Sequence, residues 1–389
     1  MSNMKEREIR HALTEILYSA VNGIDGEAAF CEGLTSEDTE ALYALAKNQD
    51  VAHILFRFIH NNNVAVESGL LEKLQREELL SIYRYSRMKY ALEEICDALD
   101  KANIEHLLLK GAVIRPYYPY ETMRTSCDID VLIHENDVKA AVCELEGKGY
   151  RCESRNYHDV SLYSPENVHL ELHFNIRENM RELDSVLDEV WSYTEVTDEG
   201  RLALKKEFFV FHMYAHMAYH FTAGGCGIRA LMDIWIMEHR MKAAYGCAKE
   251  LLERAGIYRF AEKMSALANK CFTDNETDDF SEQVLEYIYR GGIYGSLENK
   301  VAVATSSKKS SPLRYAVGRI FPPYKLMDVS YPILKKAPYL LPLCWIARCI
   351  RALFEGKSGQ FSSELTYVSE TTDEKRKEIK EMRSHLGLE

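Results

Sequence analysis

None of the ten cysteines forms a CxxC pair, and no proline precedes Pro116. The first absence removes a zinc-ribbon spacing. Single scattered cysteines also give no disulfide framework, so reduced thiols in a cytosolic protein are expected. The second absence leaves the first hundred residues able to run as helix, because proline breaks helix interiors. A signal-peptide core is lacking as well, since MSNMKEREIRHALTEIL is charged and amphipathic. So is an excess of positive charge. Lys and Arg number 48 against 60 Asp and Glu, for a net charge of -12. That is the wrong sign for a chain that coats duplex nucleic acid, and no long nucleic acid partner is expected. No apolar run is suited to spanning a bilayer. The most apolar region, 337–354, is broken by Pro338, Pro342, Arg348 and Arg351. It reads first as a helix packed on the protein, and alternatively as a peripheral membrane or protein contact.

What is present is an ordinary globular composition, 47% hydrophobic and 28% charged over 389 residues, enough for two or three domains. To about Asp100 the periodicity is helical: Leu42, Leu45 and Ala46, then Leu79, Ile82 and Tyr83, then Leu92, Ile95 and Leu99. The pattern then changes. Residues 106–109 form a short apolar run that ends at Lys110-Gly111 and reads as a buried strand entering a turn. Strands are also expected at 129–133, 150–154, 160–163 and 168–176, with an amphipathic helix at 136–147. The last strand alternates: Val168, Leu170, Leu172 and Phe174 on one side, His169, Glu171, His173 and Asn175 on the other. Past about Lys205 the chain turns helical again, with a Gly-rich break at 224–227. Residues 273–282 and 305–312 read as loops or linkers, and 371–385 as a charged helix or frayed tail. The expected organisation is a helical region over 1–100, an α/β core over 101–200, a helical domain over 201–304 and a helical extension over 313–389. The fold class is α+β, a small mixed sheet flanked by N-terminal and C-terminal helical regions.

Asp128-Ile129-Asp130 opens a strand, so both carboxylates share a face while Ile129 points to the core. Paired carboxylates repel unless a cation lies between them, and Mg²⁺ (or Mn²⁺) favours such oxygens together with substrate phosphates. Glu171, on the polar side of another strand, supplies a third. Three converging carboxylates can hold two metal ions astride a reacting phosphate.

The run LLLKG, RPYYP, RTSCDIDVLIH and LELHF resembles the nucleotidyltransferase superfamily. Its core is a strand, a Gly-containing turn, a helix, a strand bearing Asp-x-Asp and a later strand bearing a third acid. More narrowly, the run is similar to a bacterial branch of uncharacterised nucleotidyltransferases that pairs Lys-Gly with a downstream Arg, Asp-x-Asp and acid-x-His. The matching positions are Lys110, Gly111, Arg124, Asp128, Asp130, Glu171 and His173. The chain departs from most of the superfamily at the first turn, where Lys110-Gly111 stands in place of Gly-Ser. The resemblance implies that Asp128 and Asp130 ligate both metals, and that Glu171 completes the coordination of the second metal and helps deprotonate an acceptor hydroxyl. It also makes Lys110, Arg124 and Ser126 candidates for phosphate oxygens, with Gly111 and His173 beside them. The implied reaction is Mg²⁺-dependent transfer of a nucleoside monophosphate from an NTP to a hydroxyl of a small molecule, sugar, peptide or protein. The alternative is a non-catalytic nucleotide- or partner-binding accessory module of the same fold, antitoxin-like.

His212, His216 and His220 share one helix face. They line an interface, face the active site, or bind metal, and a hydrolase centred on them is the third functional reading. Arg229 contacts substrate, or pairs with Asp233 one turn on. Tyr117, Tyr118 and Tyr120 pack in loop and core, or stack on a base.

Overall fold

The computed structural model describes residues 3–24, 35–274, 276–293, 295–296, 299–301, 303, 317–318, 320–324, 327, 331–354 and 372–388. The expected linker at 305–312 lies outside them. The chain divides into two compact units, one of residues 1–219 and 226–293, the other of 220–225 and 294–389.

The first unit begins with four helices, α1 (Asn3–Asn22), α2 (Ser36–Asn48), α3 (Ala52–Asn61) and α4 (Ser68–Lys101). Thr35 and Asp38 form a reciprocal capping box that fixes the start of α2. The 34-residue α4 buries Leu70, Leu74, Met88, Ala91, Ile95 and Leu99. Leu79, Ile82 and Tyr83, helically spaced in the sequence, stand exposed on its other side.

A mixed five-stranded sheet follows: β1 (His106–Leu108), β2 (Asp128–Ile133), β3 (Arg151–Arg155), β4 (Asp159–Tyr163) and β5 (His169–His173). The spatial order is β1-β2-β5-β4-β3, and only β2 and β5 run parallel. Between β1 and β2 lies a one-turn helix, α5 (Gly111–Ile114), and between β2 and β3 lies α6 (Val138–Gly147). Edge strand β3 is fully exposed and carries two arginines and a glutamate, which suits an unpaired edge.

Strand alternation divides the sheet chemically. Ile129, Val131, Ile133, Val160, Leu162, Leu170 and Leu172 form one core with Ile95, Ala98 and Leu99 of α4 and Val138, Ala141 and Leu145 of α6. The other face carries the polar partners, because a residue two positions on returns to the same side. Register pairs Asp128 with His169, Asp130 with Glu171, Ser161 with Glu171 and Asp159 with His173.

Helix α7 (Arg181–Leu187) and a hairpin of β6 (Thr194–Val196) and β7 (Leu202–Leu204) lead into α8 (Lys206–Thr222), α9 (Arg229–His239), α10 (Lys249–Arg254), α11 (Tyr258–Asn269) and α12 (Asp279–Gly291). The Gly-rich break does separate α8 from α9. The segment 273–282, read as a loop, instead ends inside α12. Asp278 caps that helix by accepting from the backbone N–H of Ser281. In the second unit, α13 (Leu341–Phe354) and α14 (Asp373–His385) are helical.

Candidate active site

The polar sheet face gathers charge because alternation delivers an acid or imidazole at each step. Asp128 and Asp130 come from β2; His169, Glu171 and His173 come from β5. One ligand atom each from Asp128, His169 and Glu171 lies within 4.8 Å of the others, and the same holds for Asp130, Glu171 and His173. Of the sequence-predicted residues, Asp128, Asp130, Glu171, His173, Lys110 and Ser126 thus come together.

Asp130 is the hub. Its Oδ1 lies 2.9 Å from Lys110 Nζ and 3.0 Å from His173 Nε2. His173 Nε2 also lies 3.4 Å from Glu171 Oε2. Burial pushes the Asp130 carboxyl up, but the Lys110 ammonium and the His173 hydrogen bond outweigh it and hold Asp130 well below the usual carboxylate range. Burial likewise pushes His173 down, and its bonds to Asp130 and Glu171 reverse this to about 9. His173 is therefore a cation at neutral pH. Glu171 is held below its ordinary value first by the His173 hydrogen bond. Asp128 is raised by burial and then by the charge of Asp130, although Ser126 Oγ donates to its Oδ1 at 3.1 Å.

This set fits a divalent cation. Asp128 is the one acid of the three whose carboxyl ends up raised: burial and the charges of Asp130 and Glu171 outweigh Lys110 and the Ser126 hydroxyl, while Asp130 and Glu171 are lowered. A cation beside Asp128 and Glu171 would relieve that repulsion.

Lys110 takes the left-handed φ of 43° at the start of α5, turning the chain directly after β1. Gly111 follows because the Arg124 guanidinium occupies the space where a side chain would begin. Arg124, expected at phosphate, instead directs Nε and Nη2 to Asp233 on α9, at 2.8 and 2.9 Å, in a buried pair. Tyr118 donates to the same carboxylate at 2.6 Å. Asp233 therefore pairs across 109 residues rather than with Arg229 one turn away. Arg229 donates to the Thr125 carbonyl at 2.9 Å, bracing the loop that enters β2. Both arginines brace the loop before Asp128, Arg124 through Asp233 and Arg229 through Thr125. Tyr120 lies beneath Arg57, 3.7 Å from ring centroid to guanidinium, so both aromatics pack as loop residues.

The sequence reading did not single out Glu178. It follows β5, and His216 Nδ1 of α8 lies 2.9 Å from its Oε1. Burial lifts its carboxyl to about 7, against the opposing charges of Lys110, His158 and His173. His212, one turn before His216, is buried and pushed down to about 3, first by burial and then by Lys110. The charge of Asp130 and His173 also reaches it. The α8 histidines in this unit therefore border the carboxylate site. Among the described residues they join no metal-ligating group. The only sequence signal was their shared helix face.

The family model described as "Uncharacterised nucleotidyltransferase" matches residues 35–273. No curated protein matches the chain. A solution structure of the antibiotic-resistance factor ANT(2'')-Ia is similar at 13% identity, covering 49% of this chain and 99% of that one, with a TM-score of 0.29. That likeness is too slight to carry argument. Among the described residues, no helix is long and apolar enough to cross a membrane.

Proposed function

The chain belongs to the uncharacterised nucleotidyltransferase family, and from that premise we propose that it moves a nucleoside monophosphate from an NTP to a hydroxyl group. The acceptor is a small molecule, sugar, peptide or protein. The observation that carries this reading is that Asp128, Asp130 and Glu171 share one face of the parallel β2–β5 pair, with Glu171 within ligand reach of each aspartate in turn.

Asp128, Asp130 and Glu171 are the residues that would hold Mg²⁺ or Mn²⁺. Bound there, the ion supplies positive charge for the α-phosphate and the departing pyrophosphate. The protein's own groups do the rest. Lys110 and His173 keep Asp130 ionised inside the fold and place two cations beside the phosphates. Ser126 orients Asp128. Glu171, kept ionised by His173, accepts the proton of the acceptor hydroxyl as its oxygen bonds to the α-phosphorus and the bond to pyrophosphate breaks. Arg124 and Arg229 act at one remove, by holding the loop before Asp128.

One observation favours a second reading. Asp130 Oδ1 is already engaged by Lys110 and His173, an arrangement that also suits a module that binds nucleotide without transferring it.

Titrating each NTP with Mg²⁺ or Mn²⁺ into wild type and Asp128→Ala/Asp130→Ala protein separates these readings. Metal-dependent binding lost in the variant, with pyrophosphate released during an acceptor screen, is the expected result. Binding without release across that screen would favour the second reading. No binding of any NTP to wild type would overturn both.

A further inference from the structure

The second unit carries an apolar surface built from none of the carboxylate-site residues. Helix α13 has two apolar sides. Leu341, Cys344 and Trp345 turn inward, joining Met327, Leu334, Tyr324, Tyr331 and Leu340 in a small core. Trp345 Nε1 donates to the Pro322 carbonyl at 2.9 Å, and the Tyr324 hydroxyl donates to the Leu334 carbonyl at 3.0 Å. These bonds fix which side faces in. The opposite side repeats at helical spacing and is bare: Leu343 is 61% exposed, Ile346 56% and Ile350 49%. Ala347 lies among them, and Tyr339 just ahead of the helix is 79% exposed. Scattered single apolar residues need no explanation, but a continuous stripe marks a binding surface.

Charge indicates what the stripe meets. Residues 299–354 hold ten Lys and Arg against a single acid, Asp328, within a chain whose net charge is -12. Lys335 and Lys336, directly before the helix, are exposed. We infer that α13 lies on a membrane surface, with Leu343, Ile346 and Ile350 entering the acyl boundary and the basic segment meeting anionic headgroups. An amphipathic helix with basic flanks and an interfacial tyrosine binds in that way. Fourteen residues make about 21 Å of helix, too short to span a hydrocarbon core of about 30 Å, so the helix lies flat. RNA would also match the charge, but it calls for stacking and hydrogen-bonding side chains, whereas this face is aliphatic.

The test is flotation of the full chain with phosphatidylcholine vesicles, with and without phosphatidylserine. Wild type is expected to float with the phosphatidylserine vesicles and to be released by salt. Leu343→Ser/Ile346→Ser/Ile350→Ser should abolish flotation. In Lys335→Gln/Lys336→Gln, partition should fall roughly fivefold for each lysine removed. That second variant alters exposed side chains only, so it tests the inference even where the triple variant folds poorly. Wild-type protein that ignores both vesicle types overturns the inference, as does equal flotation of wild type and both variants. Failure to float combined with RNA binding, or with a dimer dissolved by the triple variant, reassigns the face to those partners. NTP titration of the same variants reads the first unit independently.

Discussion

A β-carbon placed on Gly111 would lie 2.3 Å from Nη1 of Arg124. The glycine of the Lys-Gly pair thus leaves room for a buried guanidinium. That guanidinium in turn ties the loop before Asp128 to Asp233 on α9.

Gly111→Ala is accordingly expected to act as a disruption of the Arg124–Asp233 pair. Breaking a buried pair by removing one partner costs about 3–5 kcal/mol. Urea unfolding should give Gly111→Ala and Arg124→Ala similar losses, and the double variant little more than either alone. Additive losses would show that the two residues act separately.

Lys110→Met removes a cation from Asp130 while leaving three carboxylates in place. Their repulsion then has to be relieved by another positive charge, so Mn²⁺ should stabilise the variant more than wild type. A ligand at about a hundred times its Kd stabilises by about 2.7 kcal/mol, large enough to read as a shift in thermal midpoint. Equal shifts in both proteins would mean that Lys110 does not compete with the metal for charge. In an active preparation, Glu171→Gln should lower turnover by about 10²–10⁴-fold, as loss of a general base does.

His173 sets a stability window in pH. Its folded value of about 9 lies above the ordinary 6.5, so the proton is held more tightly in the folded state. Below about 6.5 both states are protonated and the full contribution is present. Between 6.5 and 9 the unfolded chain loses its proton first, and the contribution disappears. The thermal midpoint of wild type should therefore exceed that of His173→Gln most at pH 6, with the margin shrinking toward pH 9. A margin independent of pH would contradict the ionised pair with Asp130.

Glu178 has the same sign with a different charge. Its folded value of about 7 lies above the ordinary 4.5, so the fold favours the neutral acid. Its contribution is complete below about 4.5 and is lost as pH rises through about 7. Glu178→Gln, which stays neutral, should gain on wild type across that interval and hold the gain above it. Differential scanning fluorimetry at several pH values checks this, and a constant offset would exclude titration of Glu178 as the cause.

Local pattern by itself determined much of this protein. The alternation at Val168–Phe174 and the apolar run ending at Lys110-Gly111 identified strands, because a two-residue period admits one sorting of side chains between two faces. The Asp-x-Asp spacing placed two acids on one face for the same reason. The α+β class followed, and the separate resemblance of the motif residues to nucleotidyltransferases is borne out by the family match. Long-range pairing lay beyond that reach. Asp233 had a plausible partner in Arg229 at helical spacing, and only packing of α9 against the β1–β2 connection awarded it to Arg124. Glu178 had no motif, and its raised carboxyl exists only because α8 and the end of β5 bury it together. Helix α13 carries apolar residues on two sides in sequence, and only the tertiary fold decided which of them was covered. Periodicity is a property of neighbours along the chain; charge neutralisation and burial depend on residues from 20 to 109 positions apart.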